Sequence, residues 1–259
     1  MFLIDVQGTL IDDNNKSPIR GAAAFIDHLN TSHIPYMVIT NSTKYPSAEF
    51  LAYLNSIGLN IPKTHYLDPL MVLERFVDSE DNIAAYGSSA FLEVLTSMGY
   101  TLDYVNPNVV LVAIKEKFTA DEYAQMIEFI LSGARLIGMH ETSLYVKNDK
   151  RYPGVGAILK MLKFATSADY TVVGKPSGAF FTEALDRLVQ QDADVRLSDI
   201  TIISDDMTGD LIGAQALGMR GIFVLSGKYR SAEEILPKLG VDQQPYAVYA
   251  DMQEVLESL

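Results

Sequence analysis

Short apolar runs of four to six residues alternate along this chain with segments of amphipathic, helical periodicity. This alternation is the strongest constraint on the fold. Apolar runs without an exposed polar face need cover on both sides, and strands separated by helices pair in parallel through helical crossovers. Antiparallel sandwiches and pure helical bundles are thereby set aside.

The expected strands of a first unit are Phe2–Val6, Tyr36–Thr40, Ile200–Ser204, Gly221–Leu225 and Ala247–Tyr249. Its expected helices are Gly21–Leu29, Ser47–Ile57, Ser177–Val189, Leu211–Leu217 and Met252–Leu259, several stopped by glycine. Between them lies a second α/β pattern: strands Ile83–Tyr86, Val109–Ile114, Arg135–Met139 and Tyr170–Val173, with helices Ala90–Met98, Ala120–Leu131 and Val155–Ala165. The reading is a doubly wound parallel-sheet (Rossmann-like) α/β core, residues 1–78 and 174–259, carrying an inserted α/β domain at 79–173.

Composition excludes several functions. With 33 acidic against 20 basic residues the formal charge is −13, the wrong sign for neutralising a nucleic-acid backbone. There are no cysteines, so disulfides, thiolate nucleophiles and cysteine-held metals are out. The four histidines are scattered, and no apolar run is long enough to span a bilayer. Asp5 interrupts the first apolar run and no basic segment precedes it, unlike a secretory leader. The expected setting is cytoplasmic.

Four polar groups stand at the carboxyl ends of four expected strands: Asp5 with Gln7-Gly8-Thr9, Thr40-Asn41-Ser42, Gly174-Lys175-Pro176, and Ser204-Asp205-Asp206 with Asp210 beyond. Parallel strand ends share one edge, where ligands bind. Two carboxylates, a hydroxyl beside an amide and one lysine suit magnesium-assisted phosphoryl transfer. Asp5 is the expected nucleophile. Asp5 and Asp205 are expected to hold Mg²⁺ through oxygen. Gly8, Thr40, Asn41, Ser42 and Lys175 are expected to meet phosphate oxygens. Singly, each has a plain alternative: Asp5 as a turn former, Asp205, Asp206 and Asp210 as first-turn helix acids, Lys175 as a surface residue. Their joint order favours the site.

The motifs D-x-x-G-T, T-N-S, G-K-P and D-D-x-x-x-D, in this order, resemble those of the haloacid dehalogenase superfamily. The long insertion between Thr40 and Lys175 resembles its NagD-like, or p-nitrophenylphosphatase, branch, which carries an α/β cap there. V-V-G-K-P-S, P-G-V-G-A-I-L and G-A-Q-A-L-G-M-R-G-I-F-V-L-S-G-K-Y-R extend the match along nearly the whole chain. The resemblance implies a phosphatase with Asp5 as nucleophile and with the Gln7 carbonyl and Asp205 as Mg²⁺ ligands. It implies Asp210 as a supporting acid near the metal, Thr40 and Lys175 as phosphate contacts, a small phosphorylated substrate and a homodimer through the cap.

Two residues depart from that pattern. Gln7 stands where the superfamily carries its second acid and some members of the branch carry serine. An amide neither protonates a leaving group nor activates water, and such assistance is worth about 10²–10⁴-fold. The expectation is therefore a phosphatase confined to activated phosphates, with a catalytically weakened phosphate-binding or protein-interaction module as the alternative. Ser204 replaces the usual glycine before Asp205. In the cap, His140, Tyr145 and Tyr152 read either as pocket residues or as packing. Gly221–Lys228 superficially matches a phosphate loop but has the wrong glycine spacing.

Overall fold

A computed structural model of the chain describes residues 1–147 and 150–259. In chain order the strands are β1 (Phe2–Asp5), β2 (Tyr36–Ile39), β3 (Tyr66–Leu67), β4 (Asn82–Tyr86), β5 (Thr101–Leu102), β6 (Val109–Val112), β7 (Arg135–Gly138), β8 (Leu144–Lys147), β9 (Lys150–Pro153), β10 (Tyr170–Val172), β11 (Thr201–Ser204), β12 (Arg220–Val224) and β13 (Ala247–Tyr249). The α-helices are α1 (Ala22–Thr31), α2 (Ser47–Ser56), α3 (Ser89–Ser97), α4 (Ala120–Leu131), α5 (Val155–Thr166), α6 (Gly178–Val189), α7 (Ile212–Ala216) and α8 (Met252–Glu257). They group into two compact units, Met1–Thr40 with Ala48–Leu67 and Phe181–Leu259, and Asn41–Ser47 with Asp68–Phe180.

The first unit contains a six-stranded sheet in the order β13-β12-β11-β1-β2-β3, with every pair parallel. Three of its inner strands are buried along their whole length, β1 as Phe-Leu-Ile-Asp, β2 as Tyr-Met-Val-Ile and β11 as Thr-Ile-Ile-Ser. Such two-sided burial is why they read as continuous apolar runs. From β1 the chain winds outward through β2 and β3, then returns to build β11, β12 and β13 on the other side. The winding therefore reverses between β1 and β11, and the crevice outside their carboxyl ends is the expected ligand position. Register places Ile4 beside Ile203, so Asp5 and Asp205 emerge together.

The second unit holds a parallel five-stranded sheet, β5-β4-β6-β7-β10. The inner faces of β4, β6 and β7 pack with α4 and α5 through Tyr86, Val110, Val112, Met126, Leu159 and Leu162. Helix α4 starts in a reciprocal cap, Thr119 accepting from the Glu122 N–H while Glu122 accepts from the Thr119 N–H. The unit also takes in 41–47, 68–78 and 174–180, outside the expected 79–173, because Asn41 is bonded to Lys175 and Ser47 to Asp68.

Some elements differ from the sequence reading. Strands β3 and β5 are two residues long, too short for a periodic signal. Strands β8 and β9 form an antiparallel pair within the second unit. In it Tyr145 and Tyr152 face each other across the strands and stack with ring centroids 5.4 Å apart. The helix expected at Leu211–Leu217 begins earlier, as a π-helical turn over Met207–Leu211, a form that recurs at functional sites.

Candidate active site

Asp5 ends β1 and is buried. The chain then folds sharply. The Val6 carbonyl accepts from the N–H groups of Thr9, Leu10 and Ile11, and the Gly8 N–H donates to the Ile11 carbonyl. Gly8 has φ +76°, and a Cβ there would lie 2.2 Å from Asp205 Oδ2. Only glycine satisfies both the left-handed backbone and that approach.

Asp205 follows β11. Its N–H donates to Thr9 Oγ1 at 3.1 Å, and its Oδ2 accepts from the Lys228 N–H at 2.6 Å. Gly227 approaches the same oxygen from beside Gly8: a Cβ there would lie 2.0 Å from Asp205 Oδ2 and 2.6 Å from the Gly8 Cα. Burial first, then the Asp5 and Asp206 carboxylates, push Asp205 well above the usual carboxylate range, against the Lys228 N–H. Asp206 accepts from the Lys228 ammonium at 2.9 Å and from the Gly209 N–H at 2.9 Å. Burial pulls Lys228 down, but Asp206 and Asp205 outweigh it and raise its pKa. Asp210 accepts from the Ser204 hydroxyl at 2.7 Å.

Gln7 follows the end of β1, and its side-chain Oε1 accepts from the Thr40 hydroxyl at 2.8 Å. Thr40, at the end of β2, is fully buried, and its N–H donates to the Leu67 carbonyl. The first unit therefore brings together Asp5, Gln7, Gly8, Thr40, Asp205 and Asp210.

The remaining expected residues belong to the second unit. Asn41 holds both sides of the Lys175 backbone: its Oδ1 accepts from the Lys175 N–H at 2.9 Å, and its Nδ2 donates to the Lys175 carbonyl at 3.4 Å. The Glu141 N–H donates to that same carbonyl at 3.2 Å. Lys175 is buried and precedes a cis proline. Ser42 lies partly buried in the segment that follows Asn41. His140 is buried, its Nδ1 accepting from the Thr142 N–H at 3.4 Å. Burial, then the Lys175 ammonium, lower its pKa to about 4.

Buried hard oxygen donors with mutually raised charge cost suit a divalent cation, which offsets that cost. Among the described residues no three His, Asp or Glu side chains group as a metal cluster. A cation held by Asp5 and Asp205 would therefore complete its shell with carbonyl and water oxygen, as Mg²⁺ commonly does.

Sequence reasoning missed Gly227 and Lys228, having set Gly221–Lys228 aside as a failed phosphate loop. Lys228 lies four residues beyond β12, the neighbour of β11. A cation just past an adjacent parallel strand was the available signal.

Comparison with known proteins agrees with this geometry. A haloacid dehalogenase-like hydrolase family model matches residues 2–101, and a HAD-hydrolase-like model matches 172–255. The chain is 29% identical to haloacid dehalogenase-like hydrolase domain-containing protein 2 of Mus musculus, over 98% of this chain and 96% of that protein. It is 26% identical to human phospholysine phosphohistidine inorganic pyrophosphate phosphatase, over 93% and 88%. Its fold matches the p-nitrophenyl phosphatase from Archaeoglobus fulgidus with TM-score 0.84 at 23% identity, covering 100% of this chain and 98% of that one. With two family models in register with its motifs and relatives aligned along almost its whole length, the chain belongs to the haloacid dehalogenase-like hydrolases and has the fold of their NagD-like, p-nitrophenylphosphatase branch.

Proposed function

We propose that the protein is a phosphoric monoester hydrolase, an Mg²⁺-dependent phosphatase acting on small activated phosphates through an aspartyl phosphate on Asp5. The observation that carries this reading is the emergence of Asp5 and Asp205 side by side where the sheet winding reverses, with Gly8 packed closely on the Asp205 carboxylate. The relatives' names point the same way: one is a pyrophosphate phosphatase, one structural neighbour a p-nitrophenyl phosphatase.

A carboxylate oxygen of Asp5 attacks phosphorus, and the leaving group departs with the bonding electron pair. Gly8 and Thr40 are the phosphate contacts that the first unit offers, while Asn41, Ser42 and Lys175 of the second unit keep the phosphate-binding and charge-offsetting roles that the family resemblance implies. Asp5, the Gln7 carbonyl and Asp205 would hold Mg²⁺, with Asp210 in support, and the ion would neutralise charge on the transferring phosphoryl group. Water then cleaves the aspartyl phosphate without a carboxylate base, because residue 7 is an amide. Leaving groups that need no protonation by the protein are therefore favoured, such as p-nitrophenolate, phosphate expelled from pyrophosphate, or the amine of a phosphoramidate already protonated on nitrogen.

The protein is read as cytoplasmic and as a homodimer through its cap; no helix among the described residues is long and apolar enough to cross a membrane. The amide of Gln7 also favours a second reading, a phosphate-binding or protein-interaction module with little turnover. Hydrolysis of p-nitrophenyl phosphate separates the two. The phosphatase reading expects turnover that needs Mg²⁺, stops on chelation and falls to background in Asp5→Asn. Rates indifferent to Asp5→Asn leave the binding module.

A further inference from the structure

Ser204 is the residue at which this chain leaves its family's glycine, and the structure gives its hydroxyl two partners. It donates to Asp210 Oδ2 at 2.7 Å and accepts from the Asp206 N–H at 3.1 Å. The residue is fully inaccessible to solvent and Asp210 nearly so, so neither bond is exchanged with water. A glycine makes neither.

The two bonds span the π-helical turn. Within that turn the Asp206 carbonyl accepts from the N–H groups of both Asp210 and Leu211, at 3.1 and 3.2 Å. Asp206 in turn is fixed by the Gly209 N–H and the Lys228 ammonium. Ser204 thus ties the acid after Asp205 to the acid at the far end of the turn. A buried carboxylate with one oxygen engaged by a hydroxyl keeps a defined orientation, and partners of this kind tune metal ligands.

We infer that Ser204 is a positioning residue: through Asp210 it sets the affinity of the first unit for its divalent cation. The inference rests on the reading of Asp5 and Asp205 as the cation's carboxylate ligands, with Asp210 in support.

The experiment is a Mg²⁺ titration of thermal unfolding, without substrate, for the wild type, Ser204→Ala, Ser204→Gly, Asp210→Asn and the Ser204→Ala/Asp210→Asn double variant. Loss of an outer-shell partner weakens metal affinity by about 10–100-fold. Both single Ser204 variants are expected to need at least about tenfold more Mg²⁺ for half the wild-type shift. The double variant is expected to need no more than Asp210→Asn alone. At saturating Mg²⁺, KM for p-nitrophenyl phosphate should stay within about twofold of wild type, since Ser204 acts through the cation site. Mg²⁺ affinities unchanged in the Ser204 variants overturn the inference, whether or not their metal-free unfolding temperature falls. Additive losses in the double variant overturn it too. If Ser204→Ala does not fold, the glycine variant alone decides. A wild type with no Mg²⁺-dependent shift overturns the cation-site reading and the inference with it.

Discussion

The Thr40 hydroxyl donates to Oε1 of Gln7 across 2.8 Å, joining the end of β2 to the position where the family resemblance implies an acid. A hydroxyl has one proton to give, so while it serves Gln7 it does not serve phosphate. The amide is held with its nitrogen as the remaining donor, and an amide donor binds a leaving oxygen without protonating it. Replacing Gln7 by Asp supplies a group that can do so. Gln7→Asp is expected to raise kcat/KM, which reports the leaving-group step alone, on an alkyl phosphate by about 10²-fold or more, and on p-nitrophenyl phosphate by much less. Equal gains on the two substrates, measured in parallel steady-state assays, would remove the leaving-group argument.

Without a base at residue 7, hydrolysis of the proposed aspartyl phosphate is expected to be the slower half of the cycle. Rapid mixing with p-nitrophenyl phosphate should release a burst of nitrophenolate close to the enzyme concentration, followed by slow turnover. Acid quenching should trap phosphate on Asp5. A linear time course from the first turnover contradicts this order of steps.

Gly8 is the point of closest approach between the β1 exit and Asp205. Gly8→Ala forces an L residue into φ +76°, at a cost of about 1–2 kcal/mol, and drives a methyl group into the Asp205 carboxylate. Urea unfolding should show at least that loss, and Mg²⁺-dependent hydrolysis should vanish. Retained activity would mean that the Asp205 carboxylate is not held where Gly8 leaves room for it.

Asn41 satisfies both the N–H and the carbonyl of Lys175. Asn41→Ala removes the bond to the Lys175 N–H and leaves its carbonyl to the Glu141 N–H, and misplacing a catalytic group by about 1 Å can cost on the order of 10²-fold. kcat/KM is expected to fall by about that factor. The loss should be largely absent when Lys175 is already Met, because the two residues act together. Full additivity in the double variant speaks for an independent role of Asn41.

His140 titrates at about 4 when folded, held down by burial and then by Lys175, against about 6.5 when unfolded. Below pH 6.5 the unfolded chain takes up a proton that the folded chain refuses. Stability from this group is therefore complete above pH 6.5 and is lost as pH falls towards 4, by on the order of 3 kcal/mol in all. In His140→Gln the urea midpoint should decline less steeply over that interval. Identical slopes in the two proteins would rule out His140 as the source.

The local features of the candidate site were legible because they are written in adjacent residues. An apolar run stops at Asp5, another stops at Thr40, a third at Ser204, and each names a strand end. The hairpin of β8 and β9 escaped because its side chains form no long alternation, and the π-helical turn because Met207 and Leu211 mimic ordinary helical spacing. Lys228 escaped for a different reason. No residue within four positions of it is acidic, and its partners Asp205 and Asp206 lie more than twenty residues away.

The amino-acid sequence by itself determined the parallel α/β class, the strand ends and the identity of each polar group placed on them, since periodicity and turn chemistry act over a few residues. Tertiary structure decided which of those ends became neighbours. Sheet order set β11 beside β1, and that choice packed Gly8 against Asp205 across nearly two hundred residues of chain. It also turned Ser204 from an added hydroxyl into the buried partner of Asp210. Pairing order is a global outcome of burying every apolar face at once, which no local stretch specifies.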